Sequence, residues 1–204
     1  MRARSVIASL AFALVVLLWG GAPVRAAAPD PTSFMNDLGT RVLQIINDKG
    51  IPEAERKQQF RQLCEQSFDI PKISRFVLGR YWRAANDDEK KQFGEAFENY
   101  MIQVYWSRFS SYNGESFKVS GTQDEGNGTI LVTTDIFRPA TGQPPVKVDW
   151  HLAKIGDSYK IEDASLEGVS QALTYRDEFG SIIERNGGQV SALISQLNAR
   201  AKDG

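Results

Sequence analysis

The chain has 204 residues, 42% of them hydrophobic, with 24 lysine and arginine side chains against 25 acids. A near-neutral, slightly acidic chain of this length suits one domain with one ordinary core, and it carries no electrostatic footprint for nucleic acid. One cysteine and one histidine leave no internal disulfide and make a zinc site implausible.

Arg2 and Arg4 precede an apolar run over residues 6–19, Gly20, Gly21 and Pro23 break it, and Val24-Arg25-Ala26 places small residues where a signal peptidase reads. Residues 1–26 are therefore expected to be an export signal, cut after Ala26; a cut after Ala28 would set Pro29 against the scissile bond. The run is shorter than the ~20 residues of a membrane span, so an uncleaved anchor is the lesser alternative. Residues 27–204 are expected to form a single exported, periplasmic domain with a net charge of −4, since the signal carries three arginines and no acid.

Asp30-Pro31 reads as a helix start and Gly50 as its end, with Phe34, Leu38, Val42, Leu43, Ile45 and Ile46 at helical spacing. Pro52 opens a second helix to about Phe68, in which Cys64 reads as a buried, inert thiol. Asp69 and Pro71 open a third, ending near Ala85. Asn86 with Glu89 is a capping-box variant, and the helix it starts runs to about Tyr112 with a wide aromatic stripe.

The period then changes from helical to alternating. Residues 116–123 read as a strand, Asn127-Gly128 as a hairpin turn, and residues 129–138 as a second strand. A third strand carries Val146, Val148, Trp150 and Leu152 on one face and Lys147, Asp149 and His151 on the other. Gly156-Asp157 turns into a fourth strand through Tyr159, Ile161 and Asp163. Gly168 ends the sheet, residues 169–186 read as a helix, Gly187-Gly188 breaks it, and residues 190–201 form the last helix. The expected class is α+β, with helices packed on one face of a twisted four-stranded antiparallel sheet and an apolar pocket between the layers.

Candidates for chemistry are few. His151 falls on a polar strand face. Ser170 follows a strand and opens a helix, the setting of a hydrolase nucleophile, but the elbow's final glycine is replaced by Ala172, the sheet is antiparallel and the histidine precedes the serine; a helix N-cap is the better reading. Asp163 shares parity with Tyr159 and Ile161 and could face inward, which keeps open an enzyme of the cone-shaped helix-on-sheet type. No phosphate loop, calcium loop or nucleotide fingerprint occurs, so no metal and no cofactor are expected. The remaining apolar set is compatible with a filled core or with a lipid-sized cavity.

Five stretches decide between these by resemblance. They are Phe76-Val77-Leu78-Gly79-Arg80-Tyr81-Trp82, Phe93-Gly94-Glu95-Ala96-Phe97-Glu98-Asn99-Tyr100, Pro144-Pro145-Val146-Lys147-Val148-Asp149-Trp150, Leu166-Glu167-Gly168-Val169-Ser170, and the tail over 176–197 with Gly187-Gly188. In this order they resemble the MlaC-type periplasmic phospholipid-binding proteins, the toluene-tolerance auxiliary family, over nearly all of residues 27–204. Thr174-Tyr175-Arg176-Asp177-Glu178-Phe179 and Asn186-Gly187-Gly188 are also similar to the hopanoid-associated branch of that family.

The resemblance implies a non-enzymatic, monomeric carrier. It would shuttle phospholipid between an outer-membrane lipoprotein complex and an inner-membrane ABC transporter with a lipid-binding ring, and so maintain outer-membrane lipid asymmetry. Its cargo is phospholipid, or a hopanoid in the alternative branch. On that reading, helix stripes and strand parity assign tail contacts to Val77, Tyr81, Phe97, Tyr100, Val104 and Phe109. From the sheet come Val132, Ile136, Val146, Val148, Trp150 and Ile161, with Val169 and Leu173 near the mouth.

Overall fold

The computed structural model describes residues 30–110 and 114–202. The expected export signal and its cut position therefore lie outside the described residues, as does Tyr112.

Seven helices and a five-stranded antiparallel sheet follow one another in the order α1 (Pro31–Asn47), α2 (Glu53–Ser67), α3 (Ile70–Leu78), α4 (Tyr81–Ala84), α5 (Asp87–Ser110), β1 (Ser116–Gly126), β2 (Thr129–Phe137), β3 (Val146–Ile155), β4 (Ser158–Leu166), β5 (Val169–Ser170), α6 (Gln171–Arg185) and α7 (Val190–Arg200). The strands lie in sequence order across the sheet. Local chemistry sets most boundaries. Asp30 accepts from the Ser33 amide at 3.1 Å and Asp69 from the Lys72 amide at 3.0 Å. Asn86 and Glu89 cap one another reciprocally, at 2.9 and 3.0 Å, so three helix starts have orphan amides satisfied by named side chains.

Two expectations are corrected. The segment after Asp69 is two helices, because Gly79 leaves helical geometry at φ +58 and the Arg176 side chain packs where a Cβ would sit, its Nε 3.0 Å away. The sheet has five strands: Val169 and Ser170 pair with Leu166 and Ser165 before α6 begins, so Gly168 turns the chain and does not end the sheet. A register shift between His151 and Leu152 leaves Glu162 as the extra residue of a bulge in β4. At that place Phe68 forms an isolated parallel bridge with Ile161, and the Asp69 amide donates to the Ile161 carbonyl at 2.9 Å. The bulge and the α2–α3 corner thus fix each other.

The buried side chains form three clusters. The first lies among the helices: Val77, Phe93, Phe97, Phe179, Ile183 and Leu193 belong to it. The second lies between the inner sheet face and α1 and α2, where Met35, Leu38 and Leu63 meet Val132, Leu152, Tyr159 and Ile161. The third joins α1, α2 and α5 through Ile46, Phe60, Ile102 and Trp106. Helix α5 feeds two of them from different sides, which explains its wide apolar stripe.

Helix α1 lies against β1 through a close approach at Gly39. A Cβ there would fall 1.9 Å from the Phe117 ring. Gly39→Ala is expected to lower unfolding free energy by about 1–3 kcal/mol by overpacking, and Phe117→Ala in the same chain should make the second methyl nearly neutral. Urea titration of the two single variants and the double variant measures this coupling.

Candidate apolar seam and lip

The inner sheet face is built by cross-strand partners. Val132 stands opposite Trp150, Thr134 opposite Val148, Ile136 opposite Val146, Val148 opposite Leu166, and Leu166 opposite Val169. Near the α2 side this face is closed: Val132, Leu152 and Ile161 are fully buried. Toward the other strand ends it opens. Ile136 and Val146 are half-buried, and Leu166, Val169 and Leu173 are 40%, 58% and 52% exposed. Three large aliphatic side chains in water at one sheet end form an apolar lip continuous with the interior.

Behind the lip, polar groups on the face are satisfied internally. The Trp150 indole donates to Thr134 Oγ1 at 2.9 Å, and that hydroxyl donates to the Val148 carbonyl at 3.3 Å. Between β4 and helices α3, α5 and α6 lies a gap lined by Met101, Tyr105, Asp163, Ala164, Ala172 and Tyr175. Its volume is about 30 Å³, close to the share of one water molecule. This gap is too small to hold a lipid tail. Burial raises the pKa of both Tyr105 and Tyr175, which stand beside the gap.

The fourteen residues read as tail contacts separate into groups. Val132, Val148 and Ile161 are buried on the inner face, Ile136, Val146 and Trp150 are half-buried there, and Val169 and Leu173 stand on the lip. Val77 and Phe97, at 1% and 0% exposure, belong to the helical cluster, with Tyr81 and Tyr100 packed on it. Phe97 meets Phe93 at 5.8 Å and Phe179 at 5.9 Å between ring centroids. These four would have to leave that core to reach a ligand in the seam. Val104 is half-buried on α5, and the side chain of Phe109 lies outside the described residues. Leu166, Met101, Tyr105, Ala172 and Tyr175 are not among the residues assigned as tail contacts from sequence. Leu166 sits in a turn-rich stretch without periodicity, and the gap exists only where three elements meet.

Asp163 lines the gap, although the bulge at Glu162 puts it out of step with Ile161 and opposite His151. Its Oδ1 accepts from the amides of Ala164 and Ala172 at 2.8 and 2.9 Å, and its Oδ2 accepts from Ser170 Oγ at 2.5 Å. Ser170 Oγ in turn accepts from the Leu173 amide at 3.0 Å, as an N-cap should. Serine donates here to a carboxylate, while His151 Nδ1 lies 3.0 Å from Glu125. This is the wiring of a helix start, with the carboxylate tying β4 to α6. Asp163→Ala orphans three donors and is expected to cost about 2–4 kcal/mol of unfolding free energy by urea titration.

Other reactive groups are quiet. Burial pushes the Cys64 thiol up to about 12, so almost none of it is thiolate at neutral pH. Among the described residues, no three His, Cys, Asp or Glu side chains stand together as a cluster that could hold a metal ion, and no helix is long and apolar enough to cross a membrane.

A helical layer set on an antiparallel meander, with apolar side chains exposed at one end of the sheet, defines a helix-on-sheet α+β protein. Residues 36–199 match the family model described as MlaC protein, and the chain belongs to that family. It is 23% identical over 127 residues to the toluene tolerance protein ttg2D of Pseudomonas putida, a match covering 62% of this chain and 58% of that protein's length. Its fold is shared by the phospholipid-binding protein of Ralstonia solanacearum, solved in complex with a phospholipid. The TM-score is 0.71 at 21% identity, covering 86% of this chain and 98% of the other.

Proposed function

We propose that this protein is a phospholipid-binding transport protein, a non-enzymatic carrier that holds acyl tails in the seam between sheet and helices and leaves the head group in water. The observation that carries this is the exposed lip of Leu166, Val169 and Leu173 leading onto a continuous apolar sheet face, in a chain of the MlaC family. A related fold in complex with a phospholipid supports it.

Energetics favour such a design. Each buried methylene gains about 0.8 kcal/mol against water, so two tails of ~16 carbons gain on the order of 20 kcal/mol. A bilayer already supplies that gain, so transfer is close to balanced and a carrier needs an apolar slot and no tight head-group clamp. The slot must open, since a gap of about 30 Å³ holds no tail. The clusters make this feasible. The helical cluster and the sheet cluster are separate, with Phe68 packed against both. The layers can part along the seam while each keeps its own core.

Export to the periplasm, a single domain over residues 27–204, and exchange with an outer-membrane lipoprotein complex and an inner-membrane ABC transporter complete the reading. It would place the protein in the upkeep of outer-membrane lipid asymmetry and in solvent tolerance. Organic extraction of the purified chain followed by mass spectrometry tests it. Phospholipid at about one molecule per chain is expected. A hopanoid would reassign the cargo, and an empty extract after incubation with phospholipid vesicles would overturn the carrier reading.

A further inference from the structure

A groove of about 1560 Å³ runs between α3 and the first half of α5, from the end of α2 and the β3–β4 turn to α4 and α6. Its charge is opposite to that of the chain as a whole: eight lysine and arginine side chains line it against four carboxylates. Two of the four acids are committed. Glu98 is paired with Arg61 at 2.6 Å, and Asp69 caps α3. Half of the cations are not. Arg75, Arg83, Lys91 and Arg176 are exposed and have no carboxylate within ion-pair distance among the described residues. Arg176 is held in place by stacking on Phe76, 5.1 Å from the ring centroid, and Phe76 itself is 39% exposed.

Two features of the groove wall have no use inside the protein. Ser74 is 97% buried on a residue basis (3% exposed), yet its hydroxyl has no hydrogen-bond partner. Gly94 sits in the interior of α5, where glycine is the poorest helix former after proline, and a Cβ added there would meet nothing within 4 Å. Internal packing does not demand that glycine. A close approach from outside does.

We propose that this groove is a docking site for an acidic amphipathic segment of a partner protein. Arg75, Arg83, Lys91 and Arg176 pair with its carboxylates, Phe76 and Trp82 take its apolar side chains, and its backbone passes over Gly94. The chain's own N-terminal segment is the wrong occupant, since residues 1–26 carry three arginines and no acid. A peptide backbone, unlike a flat bilayer, makes use of an open glycine on the groove wall. The groove meets the seam only at Phe68, and the proposal does not depend on which cargo the seam holds.

The test is photocrosslinking in the native host. The full chain carries p-benzoylphenylalanine in place of Glu95 on the groove wall, or in place of Thr122 on β1 as the control, and the captured peptide is sequenced. A single dominant segment with an excess of Asp and Glu is expected from the groove position only. Its yield should fall at least tenfold with Gly94→Leu and with the pair Arg75→Glu and Lys91→Glu, while the melting temperature is unchanged or, for Gly94→Leu, raised. No captured protein, a segment without acidic excess, or a yield indifferent to those variants overturns the proposal. So does flotation of the chain with phosphatidylglycerol vesicles that is lost on the same charge reversal, which would make the groove a membrane contact.

Discussion

Val148→Asp should leave the purified chain without phospholipid, where the unaltered chain is expected to carry about one molecule. Val148 is 6% exposed, at the centre of the inner sheet face between Thr134 and Leu166. A carboxylate there has no partner on the face, since the Thr134 hydroxyl is already used by Trp150 and the Val148 carbonyl. Its desolvation costs several kcal/mol, which falls on any state in which tails cover the face and also on the folded chain itself. Leu173→Asp separates the two effects. That side chain is 52% exposed on the first turn of α6, so the charge costs the fold almost nothing. It still sets an acid on the lip that tails must cross, and retained lipid should drop several-fold with the unfolding curve unchanged. Lipid content held at the unaltered level in both variants would remove the seam as the tail site.

Phe97→Ala makes the opposite prediction. Phe97 is fully buried among Phe93, Tyr175 and Phe179, and truncation leaves a cavity in the helical cluster. A loss of about 3–5 kcal/mol of unfolding free energy is expected, with lipid per folded molecule unchanged if the tails occupy the seam as proposed. Urea titration and lipid quantification on the same preparation check both halves. A folded Phe97→Ala chain that has lost its lipid would move the tail site into the helical layer. The contrast also bears on mechanism. If the seam opens as two layers parting, variants inside either cluster change stability, and only variants on the facing surfaces change cargo.

The lip and the groove divide the surface between two tasks. Apolar side chains are exposed at one end of the sheet, and uncommitted cations are exposed along the helical layer. Docking at the groove would leave the lip free, so a partner could hold the carrier while lipid moves.

Much of this architecture was legible in the sequence, where local physics is decisive. Asp30, Asp69, Asn86 with Glu89 and Ser170 were read as caps and act as caps, because an N-cap needs only a short polar side chain two or three residues before the amide it accepts from. Strand alternation placed Val132, Val148, Leu152 and Ile161 on the covered face, because the side-chain period of a strand is two whatever lies above it. The family, too, was readable from five ordered stretches.

What only the tertiary structure decided depends on contacts between distant elements. The break at Gly79 is set by Arg176 packing from α6, the bulge at Glu162 by the bridge from Phe68, and β5 by Val169 finding Leu166 across a turn. Helical spacing put Phe97 and Val77 on an apolar stripe, but a stripe does not say which neighbour it meets. Here that neighbour is α6 and α7, not the sheet. The seam and the groove have no sequence signature at all, since each is the space left where three or more elements approach and no single period along the chain records it.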